Sequence, residues 1–134
     1  MTLIDQYDAL VNDLEPTIVR EAKRHNGDAF HRLRSVPGIG KVLGLTILYE
    51  IHDITRFDRV QEFASYARLI KCTKESAGKK FLRHTADGKK LLARLEKKHG
   101  KGKALSILAH KIGRAVYYML SRGTVFSMEK CLAA

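Results

Sequence analysis

Ile4, Tyr7, Val11, Leu14 and Ile18 recur at alternating spacings of three and four, which places them on one helical stripe, while Asp5, Asp8 and Asp13 fall off it. A seam this narrow suits a partner helix. It covers little more than two heptads, so packing against the chain's own core is an equal reading. Pro16 removes one backbone donor inside the seam and is expected to kink the helix or divide it in two. Asn26-Gly27 reads as a helix stop, and Asp28 as the N-cap of a short helix through "AFHRLRS". Residues 1–27 are therefore expected to form an N-terminal helical arm, and residues 28–134 a helical domain.

Leu33 and Val36 lead into Pro37-Gly38-Ile39-Gly40, a helix terminator followed at once by a helix start, after which Val42, Leu43, Leu45, Ile47 and Leu48 continue at helical density. "ITRF" reads as a loop, and Asp58 as a cap for a helix with Val60, Phe63, Ala64 and Ala67 on one side. Residues 71–90 read as a basic loop with a turn at "TADG". A short helix, a Gly-Lys-Gly break at residues 100–102 and a long apolar helix ending near Gly123 follow. With no sustained period-two alternation and no internal repeat, the fold class is all-α.

Charge changes this picture most. The 134 residues carry 25 Lys and Arg against 14 Asp and Glu, a formal charge of +11. Residues 1–70 are nearly neutral, with nine basic and ten acidic side chains, whereas residues 71–103 hold twelve and three. A basic block beside neutral flanks has the layout of a polyanion footprint, with nucleic acid as the commonest partner and a solvated lysine-rich surface as the bland reading. No segment reaches the eighteen apolar residues of a membrane span, and the N-terminus lacks the pattern of a signal peptide, so a cytoplasmic protein without a membrane partner is expected. Cys72 and Cys131 lie far apart with no CxxC nearby and are expected to be free thiols.

Four groups could carry chemistry. The stretch at residues 33–48 has the hxxh-x-GhG pattern of a helix-hairpin-helix, in which Gly38, Gly40 and Lys41 would meet a phosphate, and a purely structural turn is the alternative. His110, Arg114 and Tyr117 share one side of the last long helix with Lys103, and could lay a basic stripe along a strand or be ordinary surface groups. Glu50, Asp53 and Asp58 suit capping or ion pairing better than two-metal chemistry. Ser76, in "KCTKESAGKK", stands among Lys71, Lys74, Lys79 and Lys80; those lysines could hold a phosphodiester but are poor bases, so spacing alone makes it a loop serine.

The strings "LRSVPGIGKVLGLTILYEIHDITRFDRVQEFASYARLIKCTKESAGKK" and "LARLEKKHGKGKALSILAHKIGRAVYYML" resemble the C-terminal transposase domain of the insertion-sequence-110 family, the DEDD transposases related to the Piv/MooV DNA invertases. The resemblance runs from about Arg32 to Phe126, and the first thirty residues are similar to the helical arm leading into that domain. It implies a recombinase acting on DNA, guided in some members by a structured RNA, with a RuvC-like domain whose acidic residues bind magnesium. It also implies that a serine of the helical domain becomes covalently linked to a DNA strand end, and Ser76 is the matching position. The RuvC-like domain has no counterpart here, so no cofactor is expected in this chain, and binding without recombination is expected of it alone. Phe81 follows Lys80 where the family continues through about one further helix. Two other readings stay open: a non-catalytic nucleic-acid-binding module, and a homodimer formed through the N-terminal seam.

Overall fold

A computed structural model of the chain describes residues 2–67 and 85–133. Helix α1 runs over Leu3–Ser35 and starts at a reciprocal cap: the Thr2 hydroxyl accepts from the Asp5 amide at 3.3 Å, and the Thr2 amide donates to the Asp5 carboxylate at 2.7 Å. These bonds to Thr2 hold the Asp5 carboxyl below the usual carboxylate range. Pro16 does not divide the helix. Its missing donor falls on an exposed stretch where water can serve the orphaned carbonyl.

The break comes instead at Asn26, whose backbone (φ −154°, ψ 70°) leaves the helical region. Its side-chain oxygen accepts from the Ala29 amide at 3.1 Å, so Asn26 caps the second half of α1. Asp28, the expected cap, points to Arg32 one turn on, at 3.9 Å. Both residue types cap helices, and here the earlier one takes the position.

A turn over Val36–Gly40 joins α1 to α2, Lys41–Ile51. The Ile39 amide donates to the Val36 carbonyl at 3.0 Å across Pro37 and Gly38, and Gly38 has a φ of 91°. Proline second and a positive-φ glycine third is the chemistry of a type II turn. Helix α2 then lies close on α1: a Cβ on Gly44 would stand 3.4 Å from the Phe30 ring. Its end is sharper. His52 adopts φ 57°, ψ −70°, and the Asp53 amide donates to the Ile51 carbonyl at 2.7 Å, which together make a strained γ-turn.

A single 3-10 turn at Ile54–Arg56 occupies the expected loop, capped by the Asp53 carboxylate on the Thr55 amide at 2.9 Å. Helix α3 spans Val60–Ala67, and at its start the Glu62 carboxylate accepts from the Asp58 amide at 3.1 Å, so the closure runs opposite to the expected Asp58 cap. Helix α4, Ala86–His99, absorbs the "ADG" of the expected turn, with Gly88 buried. The break before α5, Lys101–Arg122, falls on Gly100 alone (φ 80°), and Gly102 is helical. Gly123 closes α5 in the left-handed region as expected, and a short helix α6, Met128–Ala133, follows. Among the described residues there is no strand, so the fold is all-α.

The core joins the second half of α1 (Phe30, Leu33), the turn (Val36, Ile39), α2 (Leu45, Leu48, Ile51), Phe57, Phe63 and the C-terminal half of α5 (Val116, Tyr117, Met119). Helix α4 packs along α5, whose Ala104 and Leu108 are fully buried. Tyr117, expected on the basic side of α5, is buried, and its hydroxyl donates to the Phe57 carbonyl at 3.1 Å. Leu105, which three-four spacing aligns with Leu108, Ile112, Val116 and Met119, is nevertheless exposed. The seam of α1 does not pack on the core: Ile4 is 71% exposed and Val11 52%.

Tyr117→Phe is expected to destabilise the fold by about 1 kcal/mol through removal of the hydroxyl bond, and Asn26→Ala by about 1 kcal/mol through removal of the cap. Urea unfolding should show lower midpoints at unchanged slope, and an unmoved midpoint would refute the role given to that residue.

Candidate nucleic-acid interface

Gly40 precedes α2 in an extended conformation (φ −81°, ψ −174°) and offers no side-chain cap, so the first amides of α2 have no side-chain acceptor at that end. A Cβ at Gly40 would meet nothing within 4 Å, so the turn does not need glycine sterically there and the space beside the amides is open. Lys41 opens α2, about half exposed, with its ammonium 3.4 Å from the Glu15 carboxylate of α1. The structure thus brings Gly38, Gly40 and Lys41 together around one shallow depression of about 520 Å³ that also meets Glu15.

Behind Lys41 a second depression of about 490 Å³ is lined by Arg20, Lys23 and Arg24 of α1. These three were not singled out from the sequence. Their spacing puts them on the side of α1 opposite the apolar stripe, and that three-four pattern of cations was the available signal. What it could not show is that the α1–α2 turn carries Lys41 back to them. Glu21 pairs with Arg24 at 3.1 Å on the exposed surface, where such a pair adds little.

The other expected contacts divide. Lys103 and His110 are exposed on α5, and Arg114 is half buried there, lining a different cavity. Tyr117 has left that face for the core, so the expected four-residue stripe is not continuous. Ser76, Lys71, Lys74, Lys79 and Lys80, together with Cys72, lie outside the described residues. Cys131 is a free, buried thiol.

The acidic residues near the turn have local roles. Asp53 caps the 3-10 turn, and the Thr55 amide and hydroxyl hold its carboxyl below the usual range. Glu50 accepts from the Tyr66 hydroxyl at 3.3 Å, and the Asp58 carbonyl accepts from Tyr117 at 3.4 Å. Among the described residues no three His, Cys, Asp or Glu side chains converge in one group. Nor is any helix among them long and apolar enough to cross a membrane.

The uncapped start of α2, with Lys41 at its head, thus lies beside three further cations of α1. Residues 30–95, just under half of the chain, match the transposase IS116/IS110/IS902 family. The match begins in the second half of α1, takes in the turn, α2 and α3, and ends inside α4. No curated protein and no solved structure matches the chain.

Gly40→Ser separates fold from function. A serine hydroxyl at that N-cap would accept from an amide of the first turn and stabilise the protein by about 0.3 kcal/mol, while filling the space a phosphate would enter. We expect a higher unfolding midpoint together with weaker binding to DNA. A stabilised protein with unchanged affinity would show that the amides are not the seat.

Proposed function

We propose that this chain is the DNA-engaging helical part of an insertion-sequence transposase and takes part in DNA transposition. Its hairpin at residues 33–48 works as a helix-hairpin-helix on the sugar-phosphate backbone. The observation that carries this reading is the cationic groove of Arg20, Lys23, Arg24 and Lys41 beside the open start of α2, within or adjoining the segment that matches the transposase family. Phosphate contacts of this kind position a protein on DNA without reading bases, and the reading of bases would fall to another part of the machinery, such as a structured guide RNA.

The finer reading follows from the resemblance. Lys71, Lys74, Lys79 and Lys80 hold a phosphodiester near Ser76, the nucleophile, and Lys103 and His110 extend the contact along α5. The acidic residues that bind magnesium belong to a RuvC-like domain, so this chain alone binds DNA and does not recombine it. In a complete transposase Ser76→Ala is expected to abolish strand exchange and leave DNA binding intact. Retained exchange would reduce Ser76 to a loop serine and this chain to a non-catalytic binding module.

The binding reading is tested with a labelled duplex across a salt series, with a structured RNA as competitor. Replacing Arg20 and Lys23 with Ala should weaken binding and flatten the log-log salt slope by about 0.9 for each phosphate no longer engaged. An unchanged slope would remove that face of α1 from the interface.

A second reading concerns assembly. The stripe from Ile4 to Ile18 stands in water, with Tyr7 at 61% and Leu14 at 56% exposure, and a second copy of the same helix would cover it as a homodimer. Light scattering should give twice the chain mass for the native protein and the chain mass for Val11→Glu. A native protein that stays monomeric as its concentration rises would end this reading.

A further inference from the structure

Every Lys and Arg after residue 103, namely Lys111, Arg114, Arg122 and Lys130, lines one cavity of about 510 Å³ between the C-terminal half of α5 and α6. No acidic residue lines it, and among the described residues none of the four cations is ion-paired. Four like charges gathered without a counter-charge repel one another, and an anion between them relieves that repulsion. Arg114 lines the cavity from α5, with its Nε buried behind the surface and without a hydrogen-bond partner.

The rest of the lining is not what a bare phosphate needs. Met119 and Cys131 are buried in the wall and Phe126 is partly exposed beside them. Burial pushes the Cys131 thiol up, so the wall supplies no thiolate to neutralise the cations at neutral pH. Arg122 lies over the Tyr118 ring at 4.6 Å, which fixes the plane of its guanidinium at the rim. A cavity of this size with one apolar wall and a cationic rim fits an anion that also carries a flat apolar body. On a nucleic-acid-binding chain, that body is a base.

We propose that this cavity takes one unpaired nucleotide of a single DNA strand, with the base against the apolar wall and the flanking phosphates among Lys111, Arg114, Arg122 and Lys130. This rests on the nucleic-acid reading above and adds a second kind of contact to it. The hairpin grips the outside of a duplex, whereas a concave site can hold only a base that has left its stack. The cavity lies wholly outside residues 30–95, the segment that matches the transposase family.

The test uses the full chain with labelled methionine methyl groups and three probes: an oligothymidine strand, an abasic strand of equal length and charge, and the oligothymidine annealed to its complement. The chain has three methionines, of which Met119 is in the wall. The thymidine strand should shift the Met119 methyl resonance by ring current, and the abasic strand should bind at least about 5-fold more weakly, the lower end of the usual stacking contribution. Arg122→Gln, at an exposed position, and Arg114→Gln should each weaken single-strand binding and spare the duplex. Measuring both keeps a folding defect at half-buried Arg114 from passing as a loss of ligand. An unmoved Met119, or equal affinity for the abasic strand, overturns the proposal. A shift produced by an acidic peptide but not by the strand also overturns it. Failure of the hairpin reading appears separately, as duplex binding that Lys41→Ala leaves unchanged.

Discussion

The Tyr117 hydroxyl on the Phe57 carbonyl is the interaction around which the structure is arranged. Phe57 lies between the 3-10 turn and α3, where the backbone has left one helix and not yet entered the next, so its carbonyl needs a donor from elsewhere. Tyr117 provides it from the far end of the chain. Its ring continues the contact, 5.7 Å from Phe63, which meets Phe57 edge-on at 5.4 Å. One face of α5 is thereby fixed inward. The same rotation that buries Val116, Tyr117 and Met119 sets Lys111, Arg114 and Arg122 toward α6.

A similar economy governs the start of α2. Proline and a positive-φ glycine turn the chain within five residues, and the second helix therefore begins beside the arm it has just left. Lys41 meets Glu15 for that reason, and the ion pair is half in water, where it holds the two elements in register more than it stabilises them. Glu15 is also the acidic neighbour against which any anion arriving at Lys41 must compete. The charge of the groove is thus moderated by the arm's own sequence.

The all-α class was legible because the apolar spacings of α1, α2 and α5 persist over several turns, and the turn between α1 and α2 because Pro-Gly-Ile-Gly permits few other conformations. Single positions were harder. Tyr117 falls among polar residues on the helical wheel, and nothing in spacing says that a tyrosine with one polar atom will spend it inside the core. Asn26 and Asp28 compete for one cap, and the choice depends on how the following turn packs. Helix α6 has six residues, too few for any periodicity to register, so the cavity it closes had no sequence signal beyond four isolated cations. The groove of Arg20, Lys23, Arg24 and Lys41 was half legible: the helix face could be drawn, but the return of Lys41 to it is a tertiary fact.

The core draws on Phe30 to Phe63 and then on Val116 to Met119, yet the segment that matches the transposase family ends at residue 95. The matched segment thus holds only part of one folding unit. A chain cut at residue 95 would lose the helix that covers Phe63, with the Phe57 carbonyl unanswered. The matched segment borrows its core closure from a helix outside it, so α5 is as much a part of the hairpin's folding unit as α2 is, although some sixty residues separate it from that turn.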